Sequence, residues 1–303
     1  MSARTSLPLC VPLLAALCGA GCDDSLKSVS LIEETRVLGA RVEVEEDPLR
    51  SSPRPGERAS LRFFVAAPDG KPQLSYALSL CTVRLTNNGF PPCADAPFAS
   101  SVRADASDAD ARLDFQLPLG VDLETTPHAF ASGLICPDSG LILGSDGAPS
   151  CLTGTGTEVA FEFDLVGNNH NPSLEGHALL LDGEPWPASA EMTCDDGSLR
   201  QVTASSRHAL RIDLADSNFE PLTRQSSVEP GRESLLVSPF SSAGELDHGF
   251  VMVSADTPPD QRRVGWDAPR PANALPNLVR FYFVVRDTRG GEDFAQRALC
   301  VVP

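Results

Sequence analysis

Aromatic side chains are scarce in this 303-residue chain, which holds two Trp, two Tyr and fourteen Phe. Basic side chains are outnumbered too, 24 Lys and Arg facing 41 Asp and Glu, for a formal net charge of −17. Such a surface repels phosphate backbones and anionic headgroups, and no basic patch with interleaved aromatics offsets it, which sets nucleic acid aside as a partner. No apolar run reaches the ~20 residues a helix needs to cross a hydrocarbon core. Helical apolar spacing sustained over about 12 residues is also hard to find. The sequence has no G-x-S-x-G elbow, no Ser-x-x-Lys and no H-E-x-x-H, and no two of His128, His170, His177, His208 and His248 stand in H-x-x-x-H spacing. These absences argue against the familiar hydrolases and against a helical zinc site, and the expectation is a protein that is not an enzyme.

The N-terminus, by contrast, carries an address. Arg4 opens an n-region, Leu7 to Ala20 supply 14 largely apolar residues, and Gly19-Ala20-Gly21 precedes Cys22. The layout is that of a signal peptide over residues 1–21. The small residues before Cys22 resemble the lipobox of bacterial lipoproteins, although that motif prefers an aliphatic residue where Gly19 stands. The resemblance implies acylation of Cys22, a tether over residues 22–34, and a mature chain of 23 basic and 41 acidic side chains, net −18. Several acyl chains together anchor durably, because each buried methylene contributes about 0.8 kcal/mol. The expected location is the cell envelope, lipid-anchored to the outer membrane; Asp23 after the cysteine favours inner-membrane retention in enteric bacteria and keeps that alternative open.

Beyond the tether, period-two alternation dominates. Val42 and Val44 interleave with Glu43 and Glu45; Leu61, Phe63 and Val65 form one face; Phe161, Phe163 and Leu165 alternate with Glu162 and Asp164; Leu210, Ile212 and Leu214 alternate with Arg211 and Asp213. These read as half-buried strands. Phe281, Phe283 and Val285 sit in a run so apolar that both its faces must be covered. The 26 Pro and 23 Gly fall mostly between strands, and Pro55-Gly56 and Pro230-Gly231 each place a type II turn pair before one. The predicted fold class is all-β: two tandem antiparallel, immunoglobulin-like sandwiches over residues 35–166 and 173–303, joined by a polar linker at 167–172.

Nine cysteines become six after Cys10 and Cys18 leave with the signal and Cys22 takes the lipid. Six permit 15 pairings in an oxidising compartment. If bridges stay within domains, Cys194 pairs with Cys300 and three patterns remain. Cys81 with Cys93 and Cys136 with Cys151 are favoured, each closing a Pro-rich or Gly-rich loop.

The segment Phe281-Tyr282-Phe283-Val284-Val285-Arg286-Asp287-Thr288-Arg289-Gly290-Gly291 resembles the closing hairpin of uncharacterised lipoproteins abundant in myxobacteria. Asn169-His170-Asn171-Pro172, Ala243-Gly244-Glu245-Leu246 and Trp266-x-x-Pro269 are similar to the same group. The likeness covers residues 169–303 and implies a lipobox followed by β-sandwich domains; it implies no activity. Physically, Asp287 is placed for an Asx-turn and the glycines for positive φ.

Three acidic or amide-rich loops are compositional candidates for calcium: Asp105, Asp108 and Asp110; Asp182 and Glu184 with Asp195 and Asp196; and Asn168, Asn169 and Asn171. None has the spacing of a helical calcium loop, and the bland reading is solvated loops, so no cofactor is expected. Trp186 and Trp266 are candidates for stacking on sugars or, more ordinarily, for plugging the core. The leading expectation is a membrane-anchored envelope lipoprotein acting as a non-catalytic binding or structural module for an envelope or surface partner, protein or glycan. Two rivals remain, a calcium-assisted carbohydrate-binding or adhesion module and a hydrolase with an unrecognised site, built either from clustered carboxylates or from a Ser and His pair converging in a cleft.

Overall fold

The computed structural model describes residues 28–83, 93, 95–108, 110–176, 178–188, 193–195, 197–221, 231–270 and 277–303. Residues 1–21, Cys22, residues 23–27 of the tether, His177, Asp196 and Pro230 lie outside them. The described chain is all-β, with two single-turn 3-10 helices and no α-helix.

The first half builds β1 (Arg36–Val44), β2 (Arg58–Ala66), β3 (Leu74–Val83), β4 (Ala99–Asp108), β5 (Ala111–Gln116), β6 (His128–Pro137), β7 (Leu141–Leu143), β8 (Pro149–Cys151) and β9 (Thr157–Asp164). Sheet β1-β2-β5 faces sheet β4-β3-β6-β9, and β7-β8 forms a separate hairpin. Alternation explains the packing: β5 (ARLDFQ) buries every other side chain, and Val42, Leu61, Leu113 and Phe163 meet in one core. Arg54-Pro55-Gly56-Glu57 is a hydrogen-bonded turn with Gly56 at φ +89°, the conformation a type II turn requires.

The second half builds β10 (Leu179–Leu181), β11 (Glu184–Pro185), β12 (Gln201–Thr203), β13 (Arg207–Ile212), β14 (Ser234–Ser241), β15 (Glu245–Leu246), β16 (Val251–Ser254), β17 (Arg263–Asp267), β18 (Asn277–Arg286) and β19 (Glu292–Val302). Sheet β11-β10-β13-β17-β15 lies over β12-β19-β18-β14-β16, and a second core drawn from residues 174–301 fills the space between. Trp186 and Trp266 both stand edge-on to Phe281, at centroid distances of 5.0 and 4.9 Å. Their indole N–H groups donate to the carbonyls of Ala298 and Ala243. Both tryptophans are core plugs, 4% and 0% exposed, and neither presents a face to a sugar.

Pairing is antiparallel with one departure from expectation: among the named strands, β12 runs parallel to β19. Parallel neighbours need a long crossover, and residues 204–291 between these strands supply it. Disulfides join Cys81 to Cys93, Cys136 to Cys151 and Cys194 to Cys300. The last fixes the segment leading into β12 beside the end of β19.

The two halves are not beads on a string. The outer face of β18 offers Tyr282 and Val284, which pack with Leu38 and Ala66 from the first half, and with Ile32 from the segment expected to be tether, in a small third core. This contact is why β18 is apolar on both faces: one side belongs to its own sandwich, the other to the neighbour. The Tyr282 hydroxyl donates to the Ala67 carbonyl, and Phe64 stacks on Phe294 at 4.3 Å.

Around this apolar contact runs a polar ring. Asn169 and Asn171, in the segment expected to be a solvated linker, are 1% and 6% exposed. Asn169 donates to Ser51 and to Asp287, and Asn171 donates to the Val42 carbonyl while accepting the Glu292 N–H. Glu292 receives the Ala40 N–H at 2.8 Å and the Arg286 guanidinium. Arg41 reaches Asp293 at 2.7 Å. Gly39 is part of the same device, because a Cβ there would collide with the Glu292 carboxylate.

Candidate functional site

The hairpin between β10 and β11 turns on Asp182 and Gly183, both at positive φ (+54° and +86°), as a two-residue Asp-Gly turn demands. That turn aims the Asp182 carboxylate at β13. Its Oδ1 accepts the Ala209 N–H at 2.9 Å and its Oδ2 meets His208 Nδ1 at 2.7 Å. On the far side of the ring, His208 Nε2 lies 2.6 Å from Ser206 Oγ. Ser206 and His208 are two apart, so the strand period puts them on one face. Burial opposes ionisation of Asp182, but the Ala209 N–H, His208 and Arg200 outweigh it and hold the carboxyl below its ordinary range.

Carboxylate, imidazole and hydroxyl therefore stand in the order that activates a serine for acyl transfer. Two features weigh against a poised nucleophile. The Ser206 hydroxyl also contacts the Thr203 carbonyl, so its single proton has two acceptors. The Ser206 N–H is bonded to that same carbonyl and is not available to a developing oxyanion. The His208 ring lies against the buried Trp266, giving the group a plain structural role at the end of the core.

Beside the relay, an open cleft of about 640 Å3 is lined by Asp182, Arg207, His208, Asp247, His248 and Phe250, among others. Ala209 and Gly265 contribute little bulk to it; a Cβ on Gly265 would run into the Asp247 carboxylate and the Arg207 guanidinium. Arg207 bridges Asp247 at 2.7 Å and Asp267 at 2.9 Å. Burial works against the Asp247 charge, but His248, the Gly265 N–H and Arg207 prevail and keep its pKa low. Phe250 is 59% exposed. A smaller cleft of about 500 Å3 over β1, β2 and β5 is lined chiefly by charged and small side chains, with Arg112 and Asp114 paired at 2.6 Å.

Of the residues singled out from the sequence, Asp182, His208 and His248 line one cleft, and the others are dispersed. Asp105 and Asp108 fall on β4 and not in a loop, with Asp110 in the bend after it; the strand simply continues through them. Asn168, Asn169 and Asn171 do not converge on a cation: Asn168 accepts from Arg54, and Asn169 and Asn171 serve the junction. Among the described residues no three His, Cys, Asp or Glu side chains are grouped to hold a metal ion. His128 lies 2.8 Å from Asp164, and His170 pairs with Glu220. Missed from the sequence were Ser206 and Phe250; the Asp-Gly turn at 182–183 was the one local signal that could have drawn attention to the relay.

No protein-family profile matches the chain, and no curated protein is similar to it. Solved structures to which it is similar include the fibronectin(III)-like modules of CbhA from Clostridium thermocellum, at 10% identity over 86% of this chain and 92% of that one, TM-score 0.22. A red sea bream transglutaminase matches at 9% identity over 88% and 32%, TM-score 0.24. A marsupial T cell receptor matches at 13% identity over 89% and 98%, TM-score 0.20. Likenesses this remote carry no argument about activity.

Proposed function

We propose that this chain is an exported lipoprotein, acylated at Cys22 and held on the outer membrane, whose two immunoglobulin-like domains form a rigid binding or structural module for another envelope component. The supporting observation is the junction between the halves. Buried hydrogen bonds and a third apolar core fix one sandwich against the other, so a short tether carries a single body with a constant display of loops. Three disulfides are consistent with a compartment outside the cytoplasm. Among the described residues no helix is long and apolar enough to cross a membrane, and membrane residence in this reading comes from the lipid. Intact mass of the native protein tests the anchor: acyl groups on Cys22 and six oxidised cysteines are expected, and a retained leader or an unmodified Cys22 overturns the reading. Photo-crosslinkers placed along the 640 Å3 cleft and on the β7-β8 hairpin test the module; discrete adducts in the native envelope are expected, and their absence at every position refutes a partner-binding role.

A second reading, a hydrolase, is favoured by one observation, the Asp182–His208–Ser206 chain. In it the Ser206 O–H rotates from the Thr203 carbonyl to His208, which takes the proton as the oxygen attacks an ester carbon and returns it to the departing alcohol; water activated by His208 then releases the acid from acyl-Ser206. A fluorophosphonate probe should then label Ser206, with labelling abolished in S206A and slowed about 100-fold or more in H208Q. Wild-type protein that stays unlabelled removes this reading.

A further inference from the structure

We propose that the protein lies against the bilayer that anchors it, through an apolar contact formed by Val29, Phe250 and Met252. The inference rests on the acylation of Cys22 and deepens that reading by assigning which side of the molecule meets lipid.

Geometry begins with the exit of the tether. Ser30 and Ile32 exchange backbone hydrogen bonds with Ser241, the last residue of β14, and Leu31 bridges Ser241 in parallel. On the same edge, β16 pairs with the first half of β14, Val251 opposite Val237 and Met252 opposite Leu236. The entering chain and β16 thus share one margin of the sheet, end to end. Gly249 closes the gap between them: a Cβ there would stand 3.1 Å from Ser30 Oγ.

Three large apolar side chains stand out from this margin. Val29 is 77% exposed, Phe250 59% and Met252 50%. Other exposed apolar side chains occur, but these three flank the point where the chain heads for its lipid. Ser28 stands only six residue steps from Cys22, and at ~3.3–3.6 Å each these extend about 20 Å at most. A body held that closely turns the side around its tether toward the membrane. Apolar side chains there sink into the headgroup and acyl boundary, adding to the hold of the lipid chains. The charge of the neighbouring Asp247 is partly offset, because it shares Arg207 with Asp267 and is flanked by His248.

The test uses F250W in the full, acylated chain reconstituted into phosphatidylcholine vesicles with brominated acyl chains. Trp186 and Trp266 are buried and supply a constant background. F250W and M252W should each lose about half of their added emission to the bromine. L119W, at a position 83% exposed on the first sandwich, should lose none. Acylated protein with F250W and M252W unquenched overturns this inference and leaves the anchor standing, as does quenching confined to L119W. An intact mass without acyl groups on Cys22 overturns the anchor and this inference together.

Discussion

Acidifying the protein from pH 7 to pH 4.5 is expected to stabilise it, because Glu292 is ionised in the wrong place. Burial pushes this carboxyl up from 4.5 to about 6, against the opposing pull of Arg286 and the Ala40 N–H. An acid with a raised folded pKa binds its proton more tightly in the native state than in the unfolded chain. Its contribution is therefore complete below the unfolded value and is lost as pH rises through about 6. The rise from 4.5 to about 6 corresponds to about 2 kcal/mol, lost across that window. Asp287 and Asp293, whose pKa values burial also raises, act in the same direction. Carboxyls held low, such as Glu57 and Asp182, oppose the trend only at more acidic pH. Urea unfolding at half-unit steps between pH 4.5 and 7, repeated on E292Q, measures the effect. E292Q should be less stable at every pH, because its amide N–H2 faces the Ala40 N–H or Arg286, and its curve should flatten across the window. Wild-type stability that rises from pH 4.5 to 7, or an E292Q slope equal to the wild-type slope, refutes the reasoning.

Other perturbations test separate parts of the structure. Replacing Cys194 and Cys300 together by Ser releases a loop with a sequence separation of 106 and should cost about 4–5 kcal/mol on the chain-entropy view, read from denaturant midpoints of the oxidised proteins. Y282F removes the donor to the Ala67 carbonyl at the junction and should cost about 1–3 kcal/mol in thermal unfolding, with no loss of strand signal in circular dichroism. G244A should destabilise by more than ~1 kcal/mol, since Gly244 holds φ +80° and a Cβ there meets the Trp266 indole and the Asp267 carbonyl. Equal stability of G244A and wild type would contradict that contact.

Several strands were legible in the sequence because one face is wet. β1 around Val42 and Val44, and β13 at Leu210 and Ile212, declare themselves by alternation, and β18 by having none; β4 reads as a loop because its acids stand along the strand. The Asx-turn was legible too: Asp287 Oδ1 accepts the N–H groups of Arg289 and Gly291. The junction was illegible because its partners are polar and far apart. Ala40 and Glu292 are separated by 252 residues, Asn169 and Asp287 by 118, and a polar residue in a gap between strands looks like solvated linker. Parallel pairing of β12 leaves no trace in a three-residue segment. The relay escaped because Asp182 sits in a turn and His208 on β13, and only the fold closes their sequence separation of 26.

Gly39 and Glu292 have a consequence for heredity and for protein engineering. The carboxylate occupies the space that any other residue at position 39 would fill, so neither position is free to drift alone. Chimaeras that trade one half of this chain for that of a divergent cousin should fail to assemble unless both sites travel together, and in an alignment of true orthologues the two columns should change in step.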